Sequence, residues 1–297
     1  MPSRFLTNAE KERLESFPAE IGEVDKTAFF TLTDTDSALI RRRTDEQNRL
    51  GFAILLCSLR FLGFVPENLA ALPIEIIQYL AEQLRIDEEV FPNYQRVRTK
   101  QTQVQEILIY TDFRRAEKAD LETLEKWLLQ RALEHDKPSF LLRLAIEKLY
   151  AEKILRPGLS VLERLVLKAR EEAVNETYRL LLPGLDAQTK TALDKLGEIE
   201  KGRKQSNLVW LRQPAVSFSA DAILQNIEKI KFLREMKAED WNLSFISPNR
   251  LKFLSQIARK SRINSLNNLA EKKRYPILLA FAKQALTDII DAGNRTF

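Results

Sequence analysis

The sequence predicts an all-α fold, and three observations carry that prediction. Leu, Glu, Lys, Arg and Ala dominate the 297 residues and only 8 are Gly; those side chains lose little rotamer freedom in a helix. Apolar residues recur at helical spacing in segment after segment, and no alternating strand pattern persists for more than a few residues. The most apolar run, Leu50 to Leu62, is broken only by Gly51, Ser58 and Arg60. Its apolar side chains cover nearly every side of a helical wheel, so this helix should be buried all round. It is too short for a bilayer, which takes ~20 apolar residues.

The other elements follow in order. Thr7 and Glu10 have the spacing of a capping box, and Phe17-Pro18 ends that first helix. Asp34 to Arg43 reads as a short helix running into Arg41, Arg42 and Arg43. The buried helix then opens with Asp45 and Glu46 in its first turn, where the dipole favours acids, and stops near Gly63. Pro73 to Arg85 is a helix with Ile74, Ile77, Leu80 and Ala81 on one face. Thr99 can cap a helix with Val104, Ile107 and Leu108 inside and Lys100, Gln101, Gln103 and Gln105 outside. Residues 116–134 place Leu121, Leu124, Trp127, Leu128 and Ala132 at helical spacing, with His135 at the end. Pro138 to Lys153 is the next helix, and Arg156-Pro157-Gly158 is a tight turn. Ser160 and Glu163 suggest a second capping box, opening a long helix to about Leu182.

From 185 to 206 the chain turns polar, with one short helix before Lys201-Gly202-Arg203-Lys204, and a domain boundary is expected there. Residues 208–218 look irregular. Ser219 or Asp221 caps a helix with Ile223, Leu224, Ile227, Ile230 and Leu233 inside. Ser247-Pro248 starts another, to Lys260, and the last runs from about Pro276 to Asp291. Trp241 and Phe245 look exposed. The expected division is 1–115, 116–200 and 201–297.

Composition excludes several classes of chemistry. With 44% hydrophobic and 30% charged residues the chain is globular rather than disordered. One cysteine, Cys57, allows no disulfide within the chain and fits a reducing, cytoplasmic compartment. The opening MPSRFLTNAEKERLE lacks the apolar core of a signal peptide. A single His and a single Cys exclude the usual zinc ligand sets, and no Walker, Rossmann or GxSxG motif appears. Nothing selects a catalytic set from the 42 acids, so no catalytic residue, metal site or small-molecule substrate is expected in this chain.

What remains is basic character: 47 Lys and Arg against those acids, a net charge of +5. Arg41, Arg42, Arg43, Asn48 and Arg49 crowd the mouth of the buried helix. Arg96 and Arg98 lead into the helix of Thr99, Lys100, Gln101 and Gln103. Helix, connector and Gln/Lys-faced helix is a helix-turn-helix spacing, in which Gln can pair with adenine while Arg and Lys neutralise phosphates. A solvated helix face is the competing reading. The spacing recurs at Arg156-Pro157-Gly158, with Arg164, Lys168 and Arg170 outside. Arg203 and Lys204, then Arg259, Lys260 and Arg262, complete the candidate DNA contacts.

Four stretches together resemble a known family: ALIRRRTDEQNRLGFAILLCSLRFLG (38–63), YQRVRTKQTQVQEI (94–107), EKLYAEKILRPGLSVLERLV (147–166) and RYPILLAFAKQA (274–285). The chain resembles the N-terminal part of the Tn-three family transposases, the large enzymes of replicative transposons. The resemblance implies tandem helical, helix-turn-helix-like DNA-binding modules followed by a further helical domain. It implies recognition of the terminal inverted repeats by helices near Thr99–Tyr110 and Ser160–Ala173. It places the DDE catalytic domain and its divalent metal far downstream. The family often has a His shortly after the Thr of the block matching RTKQTQ, where this chain has Gln103 or Val104. Double-stranded DNA is therefore the expected partner, with self-association as a dimer a further expectation. The rival reading is a helical protein-interaction scaffold, to which 201–297 is best suited, or a free-standing DNA-binding regulator.

Overall fold

The computed structural model describes residues 5–66, 69–94, 100–213 and 220–294. The fold is all-α, and the chain divides into two compact units. Unit 1 comprises Met1–Glu125 and Pro138–Leu167, and unit 2 comprises Lys126–Lys137 and Lys168–Phe297. This differs from the three consecutive modules expected, because 116–200 is shared between the two units.

In unit 1, α1 (Asn8–Glu15) carries the expected reciprocal cap: Glu10 N–H donates to the Thr7 hydroxyl at 3.2 Å and Thr7 N–H to the Glu10 carboxylate at 2.8 Å. The sequence gives no sign of α2 (Glu23–Phe30), because only Phe30 of its eight residues is buried. α3 (Asp34–Ile40) has its own capping box, Thr33 with Asp36. α4 (Glu46–Leu62) is the organising helix, with every residue from Leu50 to Leu59 buried. Gly63 ends it at φ +72°, a left-handed conformation that favours glycine; a Cβ there would also come 2.8 Å from the Tyr150 ring.

α5 (Ile74–Leu84) buries Ile76, Ile77, Leu80 and Ala81 and leaves Ile74 exposed. Ile77, Leu80 and Ala81 are inside as expected, and Ile76 takes the inner place expected for Ile74. α6 (Phe91–Tyr94) and α7 (Lys100–Tyr110) follow. β1 (Arg114–Arg115) then leads to α8 (Lys118–Ala132), α9 (Pro138–Ala151), β2 (Ile154–Leu155) and α10 (Leu159–Leu181). β1 and β2 pair in parallel, Arg114 with Ile154 and Arg115 with Leu155. That pairing draws α9 and the start of α10 into unit 1 and removes the boundary expected at 115. Tyr150 reinforces it, donating to the Arg60 carbonyl at 2.6 Å and packing edge-on against Phe113.

The capping box expected at Ser160 does not form. α10 already begins at Leu159, and Glu163 is buried. Its carboxylate accepts the N–H groups of Phe5 and Leu6 at 3.3 and 3.2 Å and pairs with Lys11 at 2.6 Å. A tertiary partner displaces the local one.

Unit 2 contains α11 (Ala187–Asp194), α12 (Asn207–Arg212), α13 (Ala220–Glu235), α14 (Pro248–Lys260), α15 (Ile263–Asn267) and α16 (Glu271–Asn294). The polar stretch 185–206 is no linker, since Leu185, Leu193 and Leu196 belong to this unit's core. Of residues 208–218, expected to be irregular, 208–212 are helical in α12 and bury Leu208, Trp210 and Leu211, and 214–218 lie outside the described residues. α13 follows expectation only in its second half: Leu233 is buried and Ile230 packs half-buried against the core, together with Phe232, whereas Ile223, Leu224 and Ile227 are exposed. α16 starts five residues before Pro276, whose missing N–H is offset by burial of Tyr275 and Ile277 to Ala282. Phe245 is exposed as expected, whereas Trp241 is half-buried against the core.

Candidate nucleic-acid interface

The strongest concentration of candidate residues lies where α3 runs into α4 and where α7 begins. The turn after Ile40 leaves the Arg41 and Arg42 side chains exposed, and among the described residues neither guanidinium has a hydrogen-bond or ion-pair partner. Arg43 differs. Its guanidinium stacks 3.4 Å from the Phe52 ring centroid, donates to the Leu39 carbonyl at 2.6 Å and pairs with Glu106 of α7 at 2.5 Å. Burial lowers its pKa, and Glu106 opposes that shift. Arg49 Nε donates to the Arg43 carbonyl at 2.7 Å. Asn48 donates to Asp45 at 3.0 Å and accepts from Gln103 at 3.5 Å. Residues 41–49 and the start of α7, two separate candidates in the sequence, are therefore one packed region, and Arg43 is one of its fasteners.

Gln103 is the clearest correction. Expected on the outer face of α7, it is buried beside Val104, Ile107 and Leu108. Its amide oxygen accepts from Tyr94 Oη at 2.7 Å. Gln101 and Gln105 are exposed as expected, Thr102 joins them, and Lys100 is half-buried with its ammonium 3.5 Å from the Pro66 carbonyl. Arg96, Arg98 and Thr99 lie outside the described residues.

The remaining candidates divide in the same way. Arg164 and Lys168 are exposed on α10. Arg170 is not free, pairing with Asp136 at 2.8 Å. In unit 2, Arg203 stacks 3.5 Å from the Trp210 ring and donates to Asn207 at 2.8 Å. Arg259 pairs with Asp288 at 2.7 Å. Lys204, Lys260 and Arg262 are exposed. Among the described residues no group of three or more His, Cys, Asp or Glu side chains could hold a metal ion. None of the described helices is long and apolar enough to cross a membrane.

Residues 5–169, more than half of the chain, match the family described as "Domain of unknown function (DUF4158)". The chain belongs to that family. The matched segment ends close to Leu167, where the second stretch of unit 1 ends. The chain is also 29% identical over 293 residues, 98% of its length, to the transposase for transposon Tn501 of Pseudomonas aeruginosa. It is 28% identical over 266 residues, 89% of its length, to the transposase for transposon Tn1546 of Enterococcus faecium. To the transposase for transposon gamma-delta of Escherichia coli it is 28% identical over 302 residues. It spans 30%, 27% and 30% of those relatives, and corresponds to the N-terminal part of Tn-three family transposases.

In this DUF4158 chain the motif blocks turn out to be architecture. A Cβ on Gly51 of the NRLG block would overlap the Tyr94 ring, so the glycine lets α6 rest directly on α4. Arg156 of the RPGLS block is mostly buried, stacked 3.7 Å from the Phe64 ring centroid and donating to the Leu14 carbonyl at 2.8 Å. Burial pushes its pKa down to about 10. Tyr275 of the RYP block donates to Asp194 at 3.1 Å. Tyr94 and Glu106, which hold the candidate region together, were missed as functional candidates. The sequence signal that could have found them is a buried-helix glycine and an arginine run, each of which needs a partner elsewhere.

Proposed function

We propose that this chain binds double-stranded DNA in a sequence-dependent way, as the N-terminal part of a replicative transposase that recognises the element's terminal inverted repeats. One observation carries the reading: within unit 1, Arg41 and Arg42 stand unpartnered on a scaffold whose other polar groups are fixed, beside a helix presenting Gln101, Thr102 and Gln105. Free guanidinium groups next to an amide-bearing helix face supply the two things a reader needs. The cations neutralise phosphates and set register, and the amides pair with base edges. Arg164, exposed on the unit 1 part of α10, offers a further phosphate contact. The relatives' names as transposases support DNA as the partner. Any divalent metal belongs to a catalytic region beyond the part matched here.

The test is selection of bound duplexes from a random pool at two salt concentrations. The expected result is an enriched motif longer than one major-groove site, with affinity falling steeply as salt rises. Retention without an enriched motif would reduce the claim to a basic helical surface. A second reading, a protein-binding or dimerising scaffold, is favoured by the exposed row Ile223, Leu224 and Ile227 on α13. Removal of 201–297 would spare DNA binding if that part only assembles.

A further inference from the structure

The buried Tyr94 and Gln103 and the half-buried Asn48 form a polar chain that phosphate neutralisation does not require. Tyr94 ends α6, Gln103 lies in the first turn of α7, and Asn48 lies in the first turn of α4. Tyr94 Oη donates to Gln103 Oε1 at 2.7 Å, Gln103 Nε2 reaches Asn48 Oδ1 at 3.5 Å, and Asn48 Nδ2 donates to Asp45 at 3.0 Å. Tyr94 is 1% exposed and Gln103 6%. Burial raises the Tyr94 pKa, so its hydroxyl stays protonated and available as a donor.

An apolar pair of the same size would fill this space without needing partners. Hydrogen bonds add direction: a phenol and an amide satisfied by each other hold two helix ends at one angle, where an apolar contact tolerates sliding. Gly51 fixes the other coordinate, since the Tyr94 ring lies where its side chain would be. A separate tie, the Arg43–Glu106 ion pair, anchors the arginine turn between α3 and α4 to α7.

We propose that Tyr94 and Gln103 are positioning residues for sequence reading. The link they make with Asn48 sets the first turn of α7 against the mouth of α4, so that Arg41, Arg42 and the Gln101 face meet a duplex as one surface. Gln103 touches no base in this role and acts through its neighbours. The inference rests on the DNA-binding reading above.

The experiment compares wild type, Tyr94→Phe and Gln103→Met in binding to the duplex selected by the wild-type chain and to a scrambled duplex, over a salt series. Tyr94→Phe keeps the ring over Gly51 and loses only the hydroxyl. The expected result is a drop of about tenfold in preference for the selected duplex, equivalent to ~1.4 kcal/mol. Scrambled-duplex affinity and the salt slope stay at the wild-type values, and hydrogen exchange speeds up at Lys100–Gln103. Gln103→Met, an independent disruption of the same link, reproduces the pattern. Preference within twofold of wild type in both variants overturns the inference and leaves the DNA reading standing. An equal loss on both duplexes also overturns it, marking the link as a general stability element. A wild-type chain with no preference removes the DNA reading itself, and the inference with it.

Discussion

Both units turn several cations inward and leave others in solvent. Unit 2 directs several at its own helix ends. Arg212 donates to the Ala258 and Ser261 carbonyls at the end of α14, Lys229 to the Gln213 carbonyl after α12, and Lys283 to the Ala238 and Glu239 carbonyls. Arg250, fully buried, holds the Ala132 carbonyl and pairs with Asp136 at 2.9 Å. These are cations placed where carbonyl groups lack backbone partners. Unit 1 commits Arg43, Arg60 and Arg156 to its core in the same way, and leaves Arg41 and Arg42 in solvent beside them. The lesson is that basic residues in a sequence overstate the charge available to a partner. Availability is decided by which guanidinium groups the fold has already used.

The largest expected effect tests the structural cations. Arg250→Met should cost about 3 kcal/mol in denaturant unfolding, because it leaves Asp136 and the Ala132 carbonyl short of a buried partner. A loss below about 0.5 kcal/mol would place Arg250 among the surface charges and erase the contrast. Next, Gly51→Ala should destabilise unit 1 by about 2 kcal/mol through overlap with the Tyr94 ring, a loss that the better helix propensity of alanine offsets only in part. Unchanged stability would show that α6 does not rest on α4 there.

A pH series probes the Asp36 site. Burial by itself would raise the Asp36 pKa, but the Arg60 pair at 2.6 and 2.9 Å, the Thr33 N–H and the Tyr110 hydroxyl outweigh it and bring it to about 2. A folded pKa below the unfolded value of ~3.9 means stability that is fully present above pH 4 and lost as the pH falls towards 2, on the order of 2 kcal/mol. In Asp36→Asn that loss should vanish from the acid limb; an identical acid limb would remove Asp36 from the account. The smallest effect concerns binding. Replacing Arg41 and Arg42 together by Ala should reduce the salt slope by about 2, roughly tenfold in affinity across a fourfold salt range. Arg203→Ala and Arg259→Ala should leave the slope unchanged, and equal effects from all four would collapse the distinction between free and partnered cations.

Much of the fold was legible. The capping box at Thr7, the buried α4, the stop at Gly63 and the inner positions Val104, Ile107 and Leu108 all follow from local spacing, and all are present. The misreadings share one cause. Glu163 has capping-box spacing but is taken by the Phe5 and Leu6 N–H groups, more than 150 residues away in sequence. Gln103 is polar, so pattern places it outside, yet Tyr94 and Asn48 satisfy it inside. Ile223, Leu224 and Ile227 are apolar, so pattern places them inside, yet they are exposed.

The sequence by itself determined the fold class, the helix on which α2, α3, α5, α6 and α7 pack, and the family. Each of these depends on composition and on contacts within a few residues, which the chain carries wherever it goes. Only the tertiary structure decided which polar residues are free. A hydrogen bond between Tyr94 and Gln103, or an ion pair between Arg43 and Glu106, exists because packing brings distant residues within 3 Å, and no local pattern encodes that distance.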